Sequence, residues 1–207
     1  MAISVYPDVR TAVWDLLDIG SGDMSTAKID VILASVEDKL YRKLRVRQME
    51  TALSSTIGTD GTLALPSSYL ELKYAYLDGS PTTKLGRKSA EWIYQNYPTR
   101  SSDGKPKFIG REASNFVFGP FPDSQYLVKG LFYQEPTAVA GSSSALAGIL
   151  ASAPYLWVFA GAYEVDKALG RKTADTWLAS FNDLMNTVVQ EDDREDYSGS
   201  PLNVTNA

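Results

Sequence analysis

The stretch FIGREASNFVFGPFPDSQYLVKGLFYQEP, residues 108–136, decides how the rest of the chain is read. It has the grammar of three short strands separated by turns. The apolar run Phe116-Val117-Phe118 stops at Gly119-Pro120, and Phe121-Pro122-Asp123-Ser124 supplies a turn. An alternating segment, Tyr126 to Tyr133, then follows. Proline fixes φ and lacks an N–H, so it interrupts a ladder, while Asp and Ser side chains bond the backbone of the turn. No catalytic signature lies in this stretch.

Outward from it, the period stays near two toward the N-terminus as far as residue 50. Residues 51–57 and 62–65 read as strands around Gly58-Thr59-Asp60-Gly61 and are expected to pair as a hairpin. Tyr69 to Leu77 alternates as another strand, Asp78-Gly79 turns it, and residues 81–85 return. Ser89 to Tyr94 reads as a short helix that Tyr97-Pro98 ends, because a residue before proline avoids the α region. Residues 99–106 are a polar surface loop.

Beyond both flanks the period becomes helical. Residues 7–19 form a first helix, with Pro7 suited to its first turn and Asp8 to its dipole. Ser25 caps a second, residues 26–48, whose Ile29, Ile32, Leu33, Val36, Leu40 and Leu44 trace one stripe. After a small-residue connector, 137–148, a helix from Pro154 to Leu169 ends at Gly170, a natural C-cap. A closing helix spans residues 173–190 with Trp177, Phe181, Leu184, Met185 and Val188 on one face. Ala160, Gly161 and Ala162 permit close helix–helix approach.

The expected architecture is therefore α+β. Residues 1–48 and 146–190 make a helical bundle from the N- and C-terminal helices. Residues 49–137 are an inserted antiparallel β layer, and residues 191–207 are a flexible acidic tail. The 207 residues, 44% hydrophobic and 22% charged, suffice for such a body.

Composition removes several function classes. There is no cysteine, hence no disulfide, zinc–thiolate site or Cys nucleophile. There is no histidine, which removes Ser-His-Asp and Cys-His catalysis and His-based zinc sites. Gly20-Ser21-Gly22-Asp23 follows a helix rather than a strand, so it is no phosphate loop. The net charge of −5 argues against bulk attraction to nucleic acid or anionic lipid, though not against a channel that DNA passes through. No basic segment precedes an apolar one at the N-terminus, and the longest apolar run, 153–162, is too short for a bilayer. The expectation is a non-enzymatic protein made in the cytoplasm, without cofactor, metal or membrane partner.

Two charged groups stand out. Lys39, Arg42, Lys43, Arg45 and Arg47 gather in nine residues at the end of the second helix. They are either a solvated helix end complementing the dipole or a face for an acidic neighbour. Glu191, Asp192, Asp193, Glu195 and Asp196, with Tyr197 after them, open the tail, which reads either as a solubilising end or as a docking segment. The 12 tyrosines and four tryptophans also leave open an aromatic, carbohydrate-binding β face.

The order LPSSYLE (65–71), LDGSP (77–81), YP (97–98), GKPKFIG (104–110) and NFVFGPFPDSQYLVKGLFYQEPTAV (115–139) resembles the adaptor, or head-to-tail connector, proteins of tailed bacteriophages, especially short-tailed ones. Leu40 to Glu50 and the segments Pro154-Tyr155-Leu156 and Gly161-Ala162-Tyr163-Glu164 fit the same pattern, so the resemblance covers about residues 10–190. The Ala/Ser-rich connector before Pro154 departs from it, and the acidic tail has no matching motif. The resemblance implies a virion protein at the portal–tail junction, forming a ring, usually of twelve subunits. Its partners would be the portal protein, a tail nozzle or tube protein, and packaged DNA passing through without sequence-specific binding. The two charged groups would then lie at portal or subunit interfaces. The alternative is a carbohydrate- or host-surface-binding β module of a phage tail.

Overall fold

A computed structural model describes residues 2–101 and 104–197. The chain divides into two compact units, residues 1–49 with 136–207, and residues 50–135.

The first unit is helical. Helix α1, Tyr6–Leu17, opens with the Asp8 carboxylate accepting from the Ser4 and Val5 N–H groups at 2.9 and 3.1 Å. Those bonds hold Asp8 below the ordinary carboxylate range. Helix α2, Thr26–Lys43, is shorter than its periodicity predicts. Leu44 is already extended, and Leu44, Val46 and Met49 stay buried only because the chain uncoils there. The Tyr6 hydroxyl donates to Asp30 Oδ1 at 2.6 Å, tying α1 to α2; burial, then that bond, push the phenol well above its usual range.

Helix α4, Ile149–Ser152, is one turn, and α5, Tyr155–Ala168, crosses α1 and α2. Trp157 is fully buried and its indole N–H donates to the Leu33 carbonyl at 3.0 Å. A Cβ on Gly161 would lie 2.6 Å from Leu33 Cδ2 and 3.2 Å from Val13 Cγ2, so glycine sets how closely α5 approaches. Helix α6, Ala174–Tyr197, packs along α5 and runs beyond Gln190. Residues 191–197 are thus helical rather than a flexible tail; the part of that expectation falling on 198–207 lies outside the described residues.

Among the described residues the second unit holds eight strands in two sheets, not one layer. One sheet has the order β1 (Glu50–Thr56), β8 (Leu127–Gln134), β3 (Tyr69–Leu77), β4 (Thr83–Lys84). The other has β2 (Thr62–Ala64), β7 (Asn115–Gly119), β6 (Phe108–Glu112), β5 (Gly86–Arg87), with β5 and β6 parallel. The opening stretch supplies the central strands β6, β7 and β8, distributed over both sheets. The expected β1–β2 hairpin does not form: β1 pairs β8 and β2 pairs β7. The turn itself exists, with Gly58 N–H donating to Thr62 O at 2.8 Å. The strands then part, and Leu53 and Leu63 enter a common core with Phe116, Phe118, Val128 and Phe132. Helix α3, Ala90–Asn96, is capped by Ser89 Oγ accepting from Trp92 N–H and rests on β6 and β7.

Candidate interaction surfaces

Each residue of the basic group has a partner within the helical unit. Lys39 Nζ meets Glu164 Oε1 at 2.7 Å, and Arg42 Nε meets Asp38 Oδ1 at 2.9 Å. Lys43 Nζ sits 5.6 Å from the centre of the Phe181 ring. Arg45 Nη1 donates to the carbonyls of Arg42 and Leu44 at 3.0 and 2.6 Å, satisfying groups that the end of α2 leaves without helical partners. Arg47 reaches furthest. Its backbone N–H donates to Asp192 Oδ1 at 2.9 Å, and its Nη1 lies 3.2 Å from Glu195 Oε2.

The structure thus brings together two groups separated by more than 140 residues in the chain: Arg47 at the end of the basic cluster, and the acidic end of α6. Glu191 and Asp193 are exposed on the same turns, and the backbone of Asp196 and Tyr197 completes the helix. Carboxylates at a helix C-terminus oppose the macrodipole, each at a cost of about 0.3–1 kcal/mol. Arg47 offsets part of this. A cationic partner would offset more.

An apolar groove lies along α2 and α5. A cavity of about 350 Å³ is lined by Val31, Ile32, Ser35, Lys39, Glu164, Lys167 and Ala168. A second, of about 200 Å³, shares Lys39 and Glu164 and runs on to Leu40, Ala160, Leu178 and Phe181. Val31 is 71% exposed there. An apolar floor with an ion pair across it suits protein contact rather than bond-making chemistry.

Two buried acids escaped the sequence reading. Glu37, 1% exposed, accepts from the N–H groups of Val139 and Ala140, both at 2.9 Å, and so pins the connector after β8. Its signal was present, since Glu37 falls four residues after Leu33 on the apolar stripe of α2. Asp166, fully buried, accepts from Thr173 Oγ1 and faces Arg171 Nε at 3.8 Å. Arg171 also donates to the Leu17 carbonyl at 2.8 Å, closing the end of α1.

The β unit holds nine acidic and nine basic residues, leaving 16 of the 25 acidic and 11 of the 20 basic side chains on the helical unit. The whole net charge of −5 therefore resides with the helices. Arg87, Lys88 and Arg111 converge on a cleft of about 170 Å³. There Arg87 bonds the Leu72 carbonyl, Lys88 lies over Trp92, and Arg111 lies over Tyr69. Tyr74 and Tyr76 stack at 6.5 Å with planes 16° apart, and Tyr74 is 43% exposed. Among the described residues, no cluster of three or more His, Cys, Asp or Glu could hold a metal ion, and no helix is long and apolar enough to cross a membrane.

A family model described as SU10 adaptor protein matches residues 6–205. No curated protein matches the chain.

Proposed function

The chain belongs to the SU10 adaptor family of phage head-to-tail adaptor proteins, and on that premise we propose that it closes into a ring of about twelve subunits between portal and tail. The family is structural rather than enzymatic, and membership makes the chain a virion component. In the proposal the ring receives the portal protein on one side and a tail nozzle or tube protein on the other. Packaged DNA passes through it without sequence-specific contact. Assembly takes place in the host bacterial cytoplasm.

The observation that carries this reading is a family match spanning both units and the whole of α6. The surfaces support it. A head-to-tail ring needs two different complementary faces on each subunit. The groove along α2 and α5, with exposed Val31, is one candidate face. The acidic end of α6, set against its own helix dipole, is another and would take a basic partner such as a portal surface. A net charge of −5 keeps channel walls from gripping DNA.

The test is capture of the chain by the portal protein of the same phage at moderate salt. Full-length protein should bind, and Glu191→Gln with Asp193→Asn, both on exposed positions, should weaken binding at least several-fold without changing the fold. Absence of binding by the full-length chain overturns the portal assignment. Equal binding by the neutralised variant removes α6 from the interface.

A further inference from the structure

We propose that the groove between α1 and α5 is a socket for the neighbouring copy of this chain, filled by the Val31 face of that copy's α2. The socket, about 300 Å³, is lined by Ile3, Ala12, Asp15, Leu16, Tyr155 and Val158. It lies wholly within the helical unit, as does the groove along α2 and α5. Among the described residues of that unit, the two most exposed large apolar side chains are Val31, at 71%, and Tyr155, at 48%. One stands on each groove. A lone exposed apolar side chain needs no explanation, whereas apolar surface continued into a groove and rimmed by polar groups marks a protein contact.

The two grooves flank one helix from opposite sides. At 3.6 residues per turn, Tyr155 and Val158 stand roughly 160° around α5 from Glu164, Lys167 and Ala168. Because the grooves face opposite ways, a single two-fold contact cannot engage both. Copies placed side by side can. Each gives its α2 face to one neighbour and takes the other neighbour's α2 face in its socket, the heterologous contact that closes a ring. The proposal therefore rests on the ring reading and names the second face which that reading requires.

Charge selects which face meets which. In the α2–α5 groove Lys39 is held by Glu164 at 2.7 Å, leaving Lys167 as a further cation. The socket carries Asp15 and, among the described residues, no basic side chain in its lining. Neither Lys167 nor Asp15 has an ion-pair partner among the described residues. Lys28, exposed one turn before Ile32, and Asp18, exposed one turn after Asp15, extend the same signs along the two faces. Two like faces brought together would set cation against cation or carboxylate against carboxylate, which is repulsive. Unlike faces give an apolar centre with opposite charges at its rim, the anatomy of a specific protein interface.

The chain contains no cysteine, so introduced pairs report without background. Val31→Cys is combined in turn with Ala12→Cys and Tyr155→Cys, with each single variant as control. The full-length chain is co-expressed with its portal protein and oxidised. The expected result is a ladder of covalently linked copies for at least one pair, absent from the single variants. Linked dimers from Val31→Cys alone show that the α2 face meets its own kind and overturn the proposal. A second measurement does not depend on cysteine geometry. Lys167→Asp or Asp15→Lys alone should lower the yield of rings several-fold at low salt, and the two together should restore it; the melting temperature of the unassembled chain is the folding control. Rings of normal mass with neither cross-link nor charge dependence overturn the pairing of faces and leave the ring reading intact. Absence of any assembly of the unmodified chain, with or without portal, removes the ring reading and this proposal with it.

Discussion

Replacing Glu37 by glutamine removes one charge and almost no volume, and it probes how the chain returns from the strands to the helices. Glu37 is 1% exposed and accepts from two neighbouring N–H groups, Val139 and Ala140, both at 2.9 Å. Hydrogen bonds to a charged acceptor contribute about 1.5–3 kcal/mol, more than bonds between neutral groups. In Glu37→Gln the amide oxygen can serve one N–H, but the amide nitrogen then faces the other, donor against donor. A loss of about 2 kcal/mol in the stability of the helical unit is expected, equivalent to roughly 4–8 °C in its melting temperature. Amide exchange reads the site directly. The same 2 kcal/mol corresponds to about 30-fold faster exchange at Val139 and Ala140, wherever local opening governs exchange. Glu37→Ala should cost more, since both N–H groups then lose their acceptor. A melting temperature within 1 °C of wild type, together with unchanged exchange at both amides, would refute the reasoning.

Three further outcomes follow from particular contacts. Arg47 and Glu195 are 43% and 69% exposed, so Arg47→Ala should cost no more than about 1 kcal/mol; exchanging the charges, Arg47→Glu with Glu195→Arg, should restore most of it in thermal denaturation at low salt and little at high salt. A Cβ on Gly130 would lie 2.1 Å from Tyr74 O and 2.9 Å from Ala75 Cα, backbone that cannot turn aside. Gly130→Ala should therefore lose about 3 kcal/mol in urea unfolding, more than Gly161→Ala, whose nearest obstacle is a leucine methyl. Asp8 is held below its ordinary range by the Ser4 and Val5 N–H groups. A carboxyl lowered in the folded state adds stability above its unfolded value, about pH 4, and that contribution vanishes as pH falls through the lower folded value. Asp8→Asn should lower stability near pH 7 and flatten this acid limb, read by thermal denaturation across pH 2–7.

Elements carried by local periodicity were legible in the chain. Residues 69–77 alternate and form β3 with those bounds; the short helix read from Ser89 forms as α3, with Ser89 as its N-cap rather than its first turn; Gly170, at φ +70°, follows α5. What was not legible depended on distant partners. Nothing local separates β1 from β2, because the turn at Gly58 suits a hairpin; the choice is made by β7 and β8, more than 50 residues further on. The end of α2 was missed because Leu44 continues the helical stripe, while Val46 and Met49 find burial only in an uncoiled chain. Acidic residues 191–197 read as tail by composition, yet Arg47 stands where it can receive Asp192 and Glu195. The basic and acidic groups were each recognisable as unusual. That Arg47 joins them required the fold.

The most direct measurement of the central claim is a reconstruction, by electron microscopy, of the full-length chain assembled with the portal protein of its phage. The account predicts a closed ring of identical subunits coaxial with the portal, with the acidic end of α6 against a basic surface. A chain that stays monomeric beside intact portal, or that is found away from the portal axis, would contradict it.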